Sequence, residues 1–398
     1  MKILYVCHRF PYPPDRGGKI RPFNMIKHFS GQGHQVTVAS LVRSDNEARK
    51  GEGIRDHCTD YMMERVSAPE ALARMVAYLP RTVPSSMGYF YSPQLKRRID
   101  AALGKTRFDM IFVHCSSVAQ YVEDVRGIPK VLDFGDMDSQ KWLIYAKVRR
   151  FPLSLGYWIE GTKLQRAEIA MAGKFDYCTC TTPAEVQTLE SYNTGVRTGW
   201  FPNGVDTDYF RPVEAPYEPD TVCFIGRMDY YPNEQAMVDF CQRTLPLLRA
   251  RRPPLQLMIV GAHPSRRVRR LGELPGVTVT GSVSDVRPYV QRSAASVAPL
   301  IIARGTQNKI LESMAMGVPV IASEQAAGGV DATPGEHFLA ASTPEGCADA
   351  ILRLLENPAE RHRLARAGRA RMLSHHSWQG SMERLSAQLA EHLPLRAI

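Results

Sequence analysis

The chain has 398 residues, 44% of them hydrophobic and 23% charged, and a formal net charge of +10. That length exceeds one ordinary core and predicts two domains, and the composition excludes a disordered chain. The charge favours anionic partners such as nucleotides, phosphates or an acidic membrane face, and by itself chooses none of them.

The N-terminus, "MKILYVCHRFPYPP", has an apolar run too short for a signal peptide and reads as a first strand. "CHRFPYPPDRGGKIRPF" follows, with Gly17 and Gly18 ahead of a helix predicted near Pro22 to Gly31. Glycines let backbone amides approach a ligand, and a helix N-terminus favours an anion. The pair is neither a G-x-G-x-x-G nor a Walker loop, which argues against a dehydrogenase or a P-loop NTPase.

"HQVTVASLV", "FDMIFVHC", "KVLDFGD" and "FDYCTCTT" are further short apolar runs separated by helical segments. Such alternation predicts parallel βαβ units. Between Met62 and Leu103 the pattern is less regular. His114 ends one predicted strand, where it points into the ligand crevice of a parallel sheet or is a satisfied core histidine. Asp133 and Asp136 follow the next strand, placed to bind sugar hydroxyls, to orient His114, or only to cap a loop. Asp136-Met137-Asp138 and Asp206-Thr207-Asp208 have D-x-D spacing, too common by chance to indicate a metal.

"GWFPNGVDTDYFRPVEAPYEPD" breaks the alternation with a turn at Asn203-Gly204 and clustered prolines, and the domain boundary is placed here. Domains are expected over 1–198 and 199–376, with a helix over 377–398 returning to the first. Alternation then resumes with "TVCFIG", "LQLMIVG", "VTVTG", "ASVAPL" and "PVIAS". Gly226-Arg227 directly follows the first of these, and Arg227 is a fork-shaped candidate for a diphosphate. Gly261 and Gly281 end the next two. "ARGTQNKILESMAMGVPVIAS" predicts a loop with Arg304 and Gly305, a helix over about Gln307–Met316 bearing Asn308, Lys309 and Glu312, and a buried strand. "STPEGCADAILRLLENP" is a helix capped by Thr343. The eight cysteines lie mostly in apolar runs and form no framework or zinc spacing, so reduced thiols and a cytoplasmic setting are expected. No apolar run approaches the roughly 20 residues that span a bilayer.

Taken together, "GG" after the first strand, "GHQVTV", "FPNGVDTDYFRP", "FIGRMDYYPN", "LMIVGAHP", "NKILESMAMGVPVIAS" and "SW" at Ser377-Trp378 resemble the family 4 glycosyltransferases, and within them the sugar transferases of bacterial exopolysaccharide clusters. The resemblance covers nearly the whole chain. It implies an α/β fold of two Rossmann-like doubly wound domains facing a cleft (GT-B), and transfer from a nucleotide-sugar with retention and without a metal or other cofactor. The donor is assigned to Gly17, Gly18, Arg227, Gly261, Arg304, Gly305, Asn308, Lys309 and Glu312, and the resemblance implies that Glu312 holds the ribose. His114, Arg227 and Lys309 take catalytic roles, and His114, Asp133 and Asp136 face a saccharide or lipid-linked acceptor. The sequence departs from the family where Arg304 replaces a glutamate eight positions before Glu312, and where a lysine shortly after Arg227 is missing.

A nucleotide-sugar 2-epimerase or a non-catalytic partner subunit are the alternatives; nucleic-acid binding lacks any groove-reading motif. A lipid-linked acceptor implies contact with the inner face of the cytoplasmic membrane, for which "YFYSPQLKRRI" and "WLIYAKVRRFPLSLGYW" combine aromatics with basic residues.

Overall fold

The computed structural model describes residues 1–15 and 17–393. Contacts divide the chain into two units, Met1–Phe201 joined by the chain from Met382 onward, and Pro202–Ser381.

The first unit holds a seven-stranded sheet of β1 (Lys2–Cys7), β2 (Gln35–Val42), β3 (Asp60–Arg65), β4 (Met110–His114), β5 (Lys130–Gly135), β6 (Tyr177–Cys180) and β7 (Arg197–Trp200). All neighbours are parallel, in the order β3-β2-β1-β4-β5-β6-β7. The middle strands are covered on both faces, which is why their sequences are continuous apolar runs rather than alternating ones. Order reverses between β1 and β4, the switch point where open α/β sheets bind ligands.

Five helices of this unit matter below: α1 (Gly17–Gly31), α2 (Ala68–Tyr78), α3 (Ser85–Tyr89), α4 (Asp138–Val148) and α5 (Leu153–Ala172). Helix α1 starts five residues earlier than Pro22, because the glycines themselves form its first turn and Pro22 falls inside it. The irregular stretch after Met62 contains α2, set by a capping box between Ser67 and Glu70, and the short α3. The boundary expected at 198/199 falls inside β7, whose Arg197–Trp200 pair with Tyr177–Cys180.

The second unit has a parallel six-stranded sheet of β8 (Glu218–Ile225), β9 (Gln256–Val260), β10 (Val277–Gly281), β11 (Ser293–Ala298), β12 (Val320–Ala322) and β13 (Leu339–Ala340), ordered β10-β9-β8-β11-β12-β13. Its switch point lies between β8 and β11. Helix α6 (Asn308–Ala315) follows β11, with Ile310, Leu311, Met314 and Ala315 in the core. Helix α7 (Trp378–His392) begins in this unit and runs into the first; residues 394–398 of the helix expected over 377–398 lie outside the described residues.

His376, just before α7, is fully buried. Its Nε2 accepts from the Asp331 amide at 3.1 Å, so its Nδ1 donates to the Asn203 carbonyl at 3.1 Å. All eight cysteines are unpaired thiols. No helix among the described residues is long and apolar enough to cross a membrane.

Candidate functional site

In the first unit, sequence-predicted residues gather at the carboxyl ends of β1, β4 and β5. Register sets Cys7 beside His114 and His114 beside Asp133. His114 Nδ1 lies 2.7 Å from Asp133 Oδ2. Arg21, from α1, reaches the same carboxylate through Nε at 2.8 Å and its second terminal nitrogen at 2.9 Å, and Thr179 donates at 3.0 Å. The Arg21 guanidinium also stacks 3.6 Å from the Phe201 ring centroid.

Asp133 has no exposed surface. Burial alone would raise its carboxyl, but the Arg21 charge and hydrogen bond, with His114 added, outweigh it and hold the group well below the usual carboxylate range. Both oxygens are committed, so Asp133 is closed to an acceptor hydroxyl and instead positions His114. With Nδ1–H donated to Asp133, the His114 Nε2 is left as an acceptor suited to a sugar hydroxyl.

Asp136 is similarly engaged: Thr181 donates to it at 2.6 Å. Burial raises its carboxyl against that hydrogen bond, and the nearby Glu185 and Asp138 push it further up. Asp138 binds Lys141 at 2.5 Å. Gly17 and Gly18 open α1, and a Cβ at Gly18 would sit 3.3 Å from the Arg9 side chain and 3.5 Å from His8.

In the second unit, a separate group forms at the ends of β8 and β9 and the start of α6. Gly226 and Gly261 both have positive φ, at 156° and 149°. A Cβ on Gly261 would stand 1.8 Å from the Gly226 carbonyl oxygen, so Gly261 is required by close packing of the two strand ends. Asn233 donates to the Arg227 carbonyl at 2.8 Å and accepts from Lys309 Nζ at 2.5 Å. Lys309 also lies 4.5 Å from the Phe224 ring centroid. The Arg227 side chain points elsewhere, forked onto Asp229 and about half exposed.

Helix α6 presents an uncapped end. Gln307 occupies the N-cap, but its side chain turns back to the Arg304 carbonyl at 3.0 Å. No acidic residue sits in the first turn. The Thr306 Oγ1 and Asn308 Oδ1 atoms are buried with no hydrogen-bond partner. Lys309 is lowered to about 7 by burial, opposed by the Glu312 charge, and Glu312 is raised to about 7 by burial, opposed by Lys309. Among the described residues no hydrogen bond reaches the Glu312 carboxylate. Gly305 is at φ 60°, and a Cβ on Gly329 would stand 2.0 Å from its carbonyl oxygen. Arg304 is half-buried in this loop.

Arg21, Thr306 and Gly329 were not signalled by the sequence. The Gly328-Gly329 pair was the available cue for the last of them.

Residues 16–209 match the family model of glycosyltransferase family 4, and residues 219–357 that of glycosyl transferases group 1. A GDP-mannose-dependent monoacylated alpha-(1-6)-phosphatidylinositol monomannoside mannosyltransferase of Corynebacterium glutamicum is 26% identical, over 46% of this chain and 54% of that protein. The chain thus spans about half the length of that curated relative. Among solved structures, sucrose-phosphate synthase from Thermosynechococcus elongatus is similar at TM-score 0.71 and 17% identity, covering 98% of this chain and 99% of that one. HepE of Anabaena in complex with UDP is similar at TM-score 0.68 and 14% identity, covering 98% and 100%. A mutant form of TarM from S. aureus, in complex with Fondaparinux, alpha-GlcNAc-glycerol and UDP, is similar at TM-score 0.69 and 10% identity, covering 97% and 99%. Two doubly wound parallel sheets carry two adjoining glycosyltransferase matches that together span most of the chain, and the chain is a glycosyltransferase of the GT-B fold.

Proposed function

We propose that this chain transfers a sugar from a nucleoside-diphosphate sugar to a growing, lipid-linked exopolysaccharide acceptor, with retention at the anomeric carbon and without a metal. The observation that carries the donor assignment is the set of unsatisfied polar groups around the start of α6. Each buried polar atom left unpaired costs about 1–3 kcal/mol, which a ligand supplying the missing partner recovers. The Thr306 hydroxyl can donate to a phosphate oxygen. Asn308 can do the same once its amide is turned over, since its two ends are distinguished only by their partners. The uncapped amides and Lys309 complete an anion site.

Glu312, one turn further along α6, takes the ribose hydroxyls. As the diphosphate leaves, negative charge grows on its oxygens, and Lys309 with the helix amides stabilises it. His114 Nε2 accepts from a sugar hydroxyl, steadied by Asp133 and Arg21. Arg304 stands where the family's glutamate would hold a neutral sugar, and suits a phosphate or an acidic sugar.

The UDP held by HepE and the lipid-borne sugar named for the mannosyltransferase support the donor and acceptor classes. The test uses radiolabelled nucleotide sugars with lipid-linked acceptors. A product larger than the donor is expected. An epimerised donor with no larger product, or no turnover and no retained donor, would reject transfer.

A further inference from the structure

We propose that helices α2 and α5, with the turn from α4 into α5, form a docking surface for an anionic lipid bilayer. The purpose of this surface rests on the lipid-linked acceptor reading; the surface itself rests on geometry alone.

Helix α2 is firmly set by its capping box, yet it turns an apolar stripe to solvent. Leu72 and Val76 lie one turn apart on the helix, Leu79 caps its end and Val83 follows in the next bend, and all four are at least 41% exposed. Val148, Phe151, Leu153, Leu155, Trp158 and Ile159 are exposed across the turn and the first half of α5, with Phe151 at 78%. The two stripes belong to one surface. Lys163 Nζ, one turn beyond Ile159, donates to the Leu79 carbonyl at 2.7 Å, and Glu160 accepts from the Ser85 and Ser86 amides at 3.0 and 2.8 Å. Single exposed apolar residues are ordinary, but two neighbouring apolar groups that include Phe151 and Trp158 make a patch that soluble surfaces avoid.

The charge around the patch identifies what covers it. Residues 71–99 and 139–159 contain no Asp or Glu. Lys147, Arg150 and Arg81 are exposed there, and Arg81 lies over the Tyr78 ring at 4.6 Å. The nearby acidic groups are used internally: Glu70, exposed in the first turn of α2, on the Ser67 amide, Glu160 on Ser85 and Ser86, Glu168 on Ser139, Asp138 on Lys141. A second copy of this chain, meeting this face with its own, would set an excess of basic groups against the same excess, with the few carboxylates already bonded within each copy. A leaflet of anionic lipid accepts both the apolar tip and its cationic rim, with aromatic residues at headgroup depth.

Of the two segments whose sequence suggested a membrane face, only Trp142–Trp158 contributes. In the other, Lys96 and Arg98 are paired with Asp100 and Glu64, and Tyr89, Phe90 and Tyr91 pack against the core.

The test is flotation with vesicles of phosphatidylcholine alone or mixed with phosphatidylglycerol, at low and physiological salt. Binding to the mixed vesicles is expected, falling as salt shortens the screening length to about 8 Å. The double variant Phe151→Ser, Trp158→Ser should lower partitioning by at least about tenfold, and replacing Arg81, Lys147 or Arg150 by Gln by about fivefold each on anionic vesicles. Both residues of the double variant are exposed, so its melting temperature checks that the fold is kept. Independently, bromolipid should quench wild-type tryptophan fluorescence more than that of Trp158→Phe. Protein that stays unbound with anionic vesicles at low salt, or forms a dimer that Phe151→Ser dissolves, overturns the proposal. Vesicle binding requires neither donor nor acceptor, so docking without transfer to any lipid-linked acceptor would reject the acceptor reading and leave this one standing.

Discussion

Replacing Lys309 by Met removes a cation and keeps most of its length, and the pH dependence of nucleotide binding should report the change. In the free protein both Lys309 and Glu312 titrate at about 7. A bound diphosphate favours charged Lys309, so its value rises on binding and the complex takes up a proton above that pH. Affinity is therefore fully present below the free value and falls with rising pH, by at most about tenfold per unit for one proton. Glu312 has the opposite sign. Ribose hydroxyls favour its ionised form, so binding releases a proton at lower pH and affinity falls as pH drops. Wild type should show a bell centred near neutrality.

Lys309→Met should lose the alkaline limb, and its acid limb should shift upward because Glu312 loses the charge that opposed its rise. The loss below neutral pH should be about 1.5–3 kcal/mol, or roughly ten- to a hundredfold. Titration calorimetry with UDP over the neutral range reads both limbs, and the proton uptake shows directly in buffers of different ionisation enthalpy. The terminal phosphate titrates near about 6 in both proteins and cancels in the comparison. Parallel pH profiles for wild type and Lys309→Met would show that Lys309 does not face the diphosphate.

Glu312→Gln should remove the acid limb and weaken nucleoside diphosphate by about 1.5–3 kcal/mol, while a 2′-deoxyribose analogue loses little; equal losses by calorimetry would remove the ribose assignment. Gly261→Ala forces a Cβ 1.8 Å from the Gly226 carbonyl and should cost on the order of 1–3 kcal/mol in denaturant unfolding, an unchanged midpoint contradicting the packing argument. Asp133→Asn leaves buried Arg21 without its counter-charge and should destabilise by about 3–5 kcal/mol. Because the Asp133 carboxyl is depressed, its stabilisation is present above the unfolded value of about 3.9 and is lost as pH falls below it, so acid unfolding curves should converge for the two proteins.

The central strands were legible because a parallel strand covered on both faces has no polar positions to interrupt it, as in "KILYVC", "MIFVH" and "SAASVA". Edge strands lack that constraint: β3 reads "DYMMER" and β7 "RTGW", and neither stands out from loop. Residues at the switch points were legible for a related reason, since a glycine or polar side chain directly after an apolar run marks where the chain leaves the sheet. Arg21 was not. Its sequence neighbours, Ile20 and Pro22, say nothing of a carboxylate 112 positions away, and a buried arginine has the same local pattern as a solvated one.

The α2 stripe shows the same difficulty in reverse. Apolar residues at helical spacing imply a covered face, and Leu72, Val76 and Leu79 satisfy that pattern while facing solvent. What separates the two cases is the complement of the stripe. A core-facing helix has charged residues of both signs on its other side, whereas the one acid of α2, Glu70, serves its capping box and the stretch from Ala71 to Ile99 has only basic residues. A missing sign of charge beside an amphipathic stripe is readable from sequence, and it points to a surface whose partner supplies the other sign.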